Sequence, residues 1–418
     1  MSTTRDSDSN DAFLESLRRA PNALAGHYAK FRVGERLLLS GHSHQAWPDV
    51  ALEGQIEAFH DAAHDVDEKW GRAFAKADEV RAGFRRLLGD PQGEIALGSS
   101  THELVIRFLS ALDLRGRPRL VTTQGEFHTL RRQLARLDEA GIEVVALPTA
   151  PADTLAERLA AAIDDRTGAV LVSTVLFETS RIVPGLRELA AVCAGRGVEL
   201  LADAYHALGP VPTSLHALGL GSAWVVGGGY KYLQLGEGNC FLRLPAHAQT
   251  LRPVVTGWFA EFADLAEERQ PGRVGYGGGA ARFAGSTYDP TSHYRAARVF
   301  AFFQEHGLQP EILQRSYRHQ VAQLAAHFDA LNVPETWITR DREAPLEAFG
   351  GFLSLRVRPP SEGALDAQGL QRALAARGVL TDSRGEYLRF GPAPYLSDEQ
   401  LRAAMAALGE VIAEHART

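Results

Sequence analysis

The chain has 418 residues, 45% of them hydrophobic and 23% charged, and a formal net charge of −7. That fills a sizeable core in one large domain with an appendage, or in two, and the acidic balance without a Lys/Arg stripe argues against nucleic acid as a partner. Cys193 and Cys240 are the only cysteines and lack CxxC spacing, which excludes a disulfide framework and a cysteine zinc site and suits a reducing cytoplasm.

The opening stretch MSTTRDSDSNDAFLESLRRA is polar and then amphipathic, with the first ten residues read as disordered. It lacks the apolar core of a secretory signal, and no later stretch approaches the roughly 20 apolar residues of a membrane span. A cytoplasmic protein with no membrane partner is expected. From about residue 81, β-rich apolar runs alternate with amphipathic segments: EIALGSS, RLVTTQGEF, IEVVALP, GAVLVSTVLF, VELLADAYH, AWVVGGGYKYL and NCFLRLP. Such alternation predicts an α/β fold, a mainly parallel seven-stranded sheet covered by helices, with the last two strands forming an antiparallel pair. After the Gly-rich VGYGGGAARFAGSTYDP the pattern changes to two long helices, then strand GGFLSLRV, a helix, strand EYLRFGP and a final helix. The expected division is an N-terminal segment over 1–40, a large domain over 41–290 and a small α+β domain over 291–418.

Only four cations are lysine, Lys30, Lys69, Lys76 and Lys231, against forty arginines. An amine can lose a proton and attack a carbonyl, whereas a guanidinium stays charged and non-nucleophilic. The first three lie in polar helical surroundings; Lys231 follows an apolar run at a strand end. Asp203 closes the preceding strand, and an acid alone there also serves as a cap or turn residue. Together, acid and lysine on neighbouring strand ends suit pyridoxal 5′-phosphate (PLP), the lysine condensing with its aldehyde and the carboxylate pairing with its protonated ring nitrogen. In GSSTHELVI, Ser100 and Thr101 open a helix and suit the phosphate; they equally suit an N-cap with Glu103 in the first turn. Phe127 is placed to stack on a planar ring or to fill core, with His128 competing for the first role. No GxGxxG follows the first strand and no GxxxxGK[ST] exists, which argues against dinucleotide and P-loop sites. His42, His44, His60 and His64 could hold a cation in principle, but polar surface is the ordinary role of such histidines, and no metal is expected.

DAYHALGPV, YKYLQLGEGN, FAGSTYDP and LRFGPAPYLSDE together resemble the fold type I, class V aminotransferase superfamily, and most closely kynureninase. The resemblance covers nearly the whole chain. It implies PLP as cofactor, Lys231 as the lysine that carries it, Asp203 as the ring-nitrogen partner and His206 beside that partner. Tyr230 and Trp258 would contact the phosphate region. R-x-x-P-x-P-Y makes Arg389 the residue that binds a substrate α-carboxylate. GHSHQAWP matches the family's N-terminal motif at Gly41 and Ser43 but carries His42 and His44 where Asn and Leu are usual, so these face the substrate in this reading. FAGST, with Ser286, is similar to a loop near the opposite subunit's cofactor, which implies a homodimer with shared sites. The implied reaction is hydrolysis of the Cβ–Cγ bond of kynurenine or another β-acyl amino acid to alanine and an acid; transamination, elimination and racemisation are the alternatives. Cysteine desulfurase is disfavoured, because its mobile cysteine belongs to the small domain and both cysteines here precede residue 241.

Overall fold

The structure, a computed structural model, describes residues 2–265, 271–359 and 364–415. Helix α1 (Ser2–Arg18) and the short strand β1 (Leu37–Leu38) precede two long helices, α2 (Val50–Asp65) and α3 (Trp70–Leu87). The expectation of disorder in the first ten residues is thus replaced by a helix. Strands and helices then alternate: β2 (Glu94–Gly98), α4 (Thr101–Ala111), β3 (Arg119–Thr123), α5 (His128–Asp138), β4 (Glu143–Leu147), α6 (Leu155–Ala161), β5 (Thr167–Ser173), α7 (Leu186–Gly195), β6 (Glu199–Asp203), α8 (Leu215–Leu218), β7 (Trp224–Gly228) and β8 (Cys240–Leu244). The C-terminal part contains α9 (Thr291–Glu305), α10 (Pro310–Ala330), β9 (Ile338–Arg340), β10 (Leu353–Val357), α11 (Ala367–Ala375), β11 (Val379–Leu380), β12 (Asp382–Arg384), β13 (Tyr387–Phe390) and α12 (Asp398–His415).

The large sheet has the order β2-β8-β7-β6-β5-β3-β4, parallel except for β8, which runs antiparallel to both neighbours. Its central strands read as unbroken apolar runs because both faces are covered. Successive residues of β5 show this: Val170 and Val172 join one core cluster, Ala169 and Leu171 the other. The first cluster continues without a break into Leu355, Leu388 and Leu401 of the C-terminal elements. Those elements form a four-stranded antiparallel sheet, β12-β13-β10-β9, packed with α10, α11 and α12. The architecture is the α/β one anticipated, with a smaller α+β part.

The N-terminal segment joins the C-terminal part through a separate two-stranded sheet. β1 pairs in parallel with β11, and beyond it Gly41 N–H donates to Gly391 C=O at 2.8 Å while Gly391 N–H donates to Leu39 C=O. A Cβ on Gly391 would lie 2.2 Å from His42 Nδ1, so only glycine allows the two backbones to touch. GHSH and FGPAP, which resemble two family motifs separately, are therefore one packed unit.

Candidate functional site

Ligands of open α/β sheets bind at the carboxyl ends of the parallel strands. β2 ends there at Gly98 and β7 at Gly228, and the reversed β8 begins between them at Cys240, the register partner of both glycines. Ser173 and Asp203 close β5 and β6 side by side. A cavity of about 250 Å³ sits on this edge. It is below the roughly 300 Å³ at which drug-sized pockets begin, so it suits a single ring rather than a dinucleotide. Ser100, Thr101, Phe127, Asp203, His206, Tyr230 and Lys231 all line it.

Lys231 follows β7 by three residues and is only 5% exposed. The loop after it is fastened from outside: Tyr28 Oη donates to Gln234 Oε1 at 2.5 Å, holding Gln234 at φ 60, and Arg295 Nε donates to Leu235 C=O at 2.7 Å. Lys231 Nζ lies 2.7 Å from His206 Nε2, 4.7 Å from the Tyr205 ring centroid and 5.4 Å from that of Phe127. Burial pushes its pKa from the usual 10.5 down to about 7, with Asp203 opposing and Arg389 adding to the fall. Such an amine is neutral in a substantial fraction at ordinary pH, which a nucleophile or proton carrier requires. His206 is driven well below its usual value by burial and by the cations Lys231 and Arg389. A neutral ring that accepts from Lys231 at Nε2 carries its proton on Nδ1, and Nδ1 has no partner in the structure.

Asp203 accepts the Tyr205 N–H at Oδ1, 2.8 Å, and its other oxygen makes no hydrogen bond among the described residues. Burial raises its pKa; the Tyr205 N–H and Lys231 pull the other way. At the helix terminus both sequence readings hold. Ser100 is the N-cap of α4, its Oγ accepting Glu103 N–H at 3.3 Å, while Glu103 Oε2 accepts from Ser99 N–H and Oγ at 3.1 and 2.9 Å. This reciprocal cap satisfies Glu103, but the first N–H groups of a helix have no partner within it, and Thr101 and His102 line the cavity.

These features fit PLP. An amine, a carboxylate with an unpaired oxygen, an aromatic face and a helix N-terminus converge on one ring-sized cavity, and a buried histidine nitrogen lacks a partner.

Other sequence-predicted residues lie elsewhere. His44 sits at the mouth, stacked on Tyr230 with centroids 5.0 Å apart and Nε2 3.7 Å from Glu237; Ser43 Oγ is 3.3 Å from its Nδ1. His42 does not line the cavity: it is wholly buried against Phe352. Arg389 also stands behind the wall, its guanidinium engaged by Asp382 and by the Phe177 carbonyl. Trp258 and Ser286 are exposed and border neither Lys231 nor Asp203. Ser286 lines a neighbouring cavity of about 950 Å³ that shares Ser99, Glu237 and Gly238 with the smaller one. The larger space has neither the amine nor the strand-end acid, so the chemistry belongs to the smaller. Sequence reasoning did not find His102, Thr129, Ser173, Tyr205 or Cys240, which also line it. Strand-end position was the available signal for Ser173 and Cys240. Behind Ser173, Glu126 is buried, accepts from Ser173 Oγ at 2.6 Å and Thr123 Oγ1 at 2.7 Å, and has its carboxyl pushed up to about 7 by burial. Among the described residues no group of three or more His, Cys, Asp or Glu side chains could hold a metal ion, and no helix is long and apolar enough to cross a membrane.

No family model matches the sequence. The chain is similar to the cysteine desulfurase IscS of Rickettsia akari, 26% identical over 203 residues, which are 47% of this chain and 48% of that one. It is likewise similar to the mitochondrial cysteine desulfurase of Arthroderma benhamiae, 27% identical over 201 residues, 46% of this chain and 39% of the relative. The chain thus spans about half the length or less of these curated relatives. Among solved structures, a mutant of the enzyme C-DES with glycine covalently linked to its PLP cofactor superposes with a TM-score of 0.80 at 16% identity, covering 92% of this chain and 98% of that one. The apo cysteine desulfurase of Thermococcus onnurineus NA1 gives 0.74 at 17%, covering 94% and 98%. At these identities the likeness settles architecture, and the chain has the fold type I α/β architecture that these structures share.

Proposed function

We propose that this chain is a PLP-dependent enzyme that cleaves a bond of an amino acid. The observation that carries the reading is Lys231, a buried amine of lowered pKa facing Asp203 across one small cavity at a helix N-terminus. When bound, PLP supplies an electron sink for carbanion chemistry at the substrate. Lys231 would hold the cofactor, and its Nζ, once free, would move a proton at the substrate α-carbon. Asp203 would hold the ring nitrogen's proton, Phe127 the ring face, and the Ser100–His102 turn the phosphate. His206, held neutral, lies within hydrogen-bond distance of Lys231 and does not add a competing charge.

Within that class we favour kynureninase-like hydrolysis, in which water adds across the Cβ–Cγ bond of a β-acyl amino acid to give alanine and a carboxylic acid. D-x-x-H, Y-K-Y-L-x-x-G-x-G and R-x-x-P-x-P-Y support it. Carbon–sulfur cleavage is the second reading, supported by the similarity to cysteine desulfurases. Its persulfide-forming version has a specific obstacle: Cys193 and Cys240 are both buried, and burial pushes both thiols up to about 12, where little nucleophilic thiolate exists. Incubation of the PLP-loaded protein with kynurenine, 3-hydroxykynurenine and cystine, with products followed by mass, separates the readings. Alanine with an aromatic acid is expected; pyruvate, ammonia and cysteine persulfide from cystine would transfer the assignment to the second, and no product from any of them would end both.

A homodimer with shared sites is part of the proposal. Val254, Val255, Trp258, Phe262 and Val274 form an exposed apolar stretch, Val254 at 83%, and patches of this kind mark protein contacts. Trp258 and Ser286 lie in or beside that stretch and outside their own chain's Lys231 cavity. Sedimentation of the holoprotein at micromolar concentration should give a dimer; a monomer there removes this part.

A further inference from the structure

The face of the large sheet turned away from the Lys231 cavity encloses a second space, of about 340 Å³. Ala202 of β6 and Val225 of β7, register partners, line it. Both belong to one core cluster, whereas Tyr205, Tyr230 and Cys240 around the Lys231 cavity pack with the other. Close-packed interiors leave few voids larger than a water molecule, and an engineered apolar cavity of roughly 150 Å³ already stays dry and takes up benzene. A space of this size is a site rather than a packing defect.

Its lining defines what fits. Val175, Val183, Ala204, Leu215 and Leu220 are all buried, so this is an interior cleft and not an exposed apolar face. The two hydroxyls that line it spend their protons on backbone: Thr174 Oγ1 donates to the Asp203 carbonyl at 3.1 Å and Thr213 Oγ1 to the Leu87 carbonyl at 2.6 Å. Charge occurs only at the rim, on the exposed Arg187 and Glu188. Arg187 is itself tied down there, its Nη2 donating to the Ala217 carbonyl so that α7 and α8 are joined beside the opening. A polar or charged guest would give up its hydration and find no side-chain donor in exchange. An apolar one gains dispersion contacts that the empty space forgoes.

The cleft also lies directly behind the strand end that carries Asp203. Ala202 and Ala204, on either side of Asp203, line it, and the Thr174 N–H joins Thr174 Oγ1 in donating to the Asp203 carbonyl, at 2.9 Å. Val175 borders both this cleft and the Lys231 cavity. None of its lining comes from residues 254–274, so the subunit contact proposed above does not fill it.

We propose that this cleft is a second ligand site, which takes an uncharged apolar small molecule, a monocyclic aromatic or short alkyl compound, behind Asp203. The site is separate from the Lys231 cavity and independent of the reaction that Lys231 serves.

Titration calorimetry of the PLP-loaded protein with toluene tests it. Saturable one-to-one binding with a negative heat-capacity change, the mark of apolar burial, is expected. Ala207→Leu and Val183→Phe each put carbon into the cleft and should weaken toluene roughly tenfold or more, the scale of a few methylenes of lost burial, with the absorbance of the lysine-bound cofactor retained. Wild-type crystals under xenon locate the site without any variant, should either fail to fold: density is expected among Thr174, Ala204 and Leu215. No saturable toluene binding to the wild type, equal binding by the folded variants, or xenon found only in the Lys231 cavity or on the surface overturns the proposal.

Discussion

Lys231→Ala is expected to lower turnover by a factor on the order of 10³ or more, in line with loss of a covalent nucleophile, and to leave the protein without lysine-bound cofactor. Among the described residues no other amine lines the cavity, and arginine cannot replace it because its guanidinium does not deprotonate in proteins. Borohydride reduction followed by peptide mass analysis should put the label on the wild-type peptide containing Lys231 and nowhere in the variant; a fully labelled variant overturns the assignment. The lowered pKa also predicts how apoprotein stability depends on pH. Between about 7 and the usual 10.5 the unfolded chain keeps the lysine proton and the folded chain has lost it. The unfolded state then binds more protons, so this residue makes stability rise with pH through the window, and the penalty is complete below it. Lys231→Met removes the term. Denaturant titrations at pH 7 and 9 should therefore show a larger gain for wild type than for the variant, and equal gains would contradict a neutral buried amine.

Asp203→Asn should weaken cofactor retention and lower kcat, each by roughly 10²-fold or more, the scale of losing one member of a buried charge pair. Asparagine keeps the size and can still accept the Tyr205 N–H, so folding is preserved while the charge is lost. Glu126 cannot take over: burial raises its carboxyl to about 7, and it is already occupied by Ser173 and Thr123. Equilibrium dialysis of PLP and steady-state rates check both effects; a variant within threefold of wild type would show that Asp203 does not meet the cofactor.

The two residues behind these predictions are legible in the sequence, and the reason is physical. A strand buried on both faces must be apolar along its length, so Asp203 and Lys231, each coming directly after such a run, stand out as groups whose burial needs a purpose. The same holds for Ser100 and Thr101, where a strand stops and a helix starts within three residues. Arg389, His42, Trp258 and Ser286 were read from motif resemblance, and here the structure adds what the motifs lack. Arg389 has a resident partner, Asp382, that is seven residues away in sequence but adjacent across a hairpin. His42 is stacked on Phe352 and neutral, where a substrate-facing side chain was expected. Trp258 and Ser286 lie outside the cavity formed by their own chain.

Local periodicity, charge and the rarity of lysine by themselves determined the α/β class, the order of the seven main strands along the chain and the pair Asp203 and Lys231. Each of those is a property of one segment and its burial. Which segments meet is a property of long-range packing, and only the tertiary structure decided it. It inserted the reversed β8 so that Cys240, paired with both Gly98 and Gly228, lines the cavity, laid residues 37–41 against 379–391, and set two arginines around Asp382. Hydrophobic patterning is non-directional and places no charge beside another; register and close backbone contact at Gly391 do.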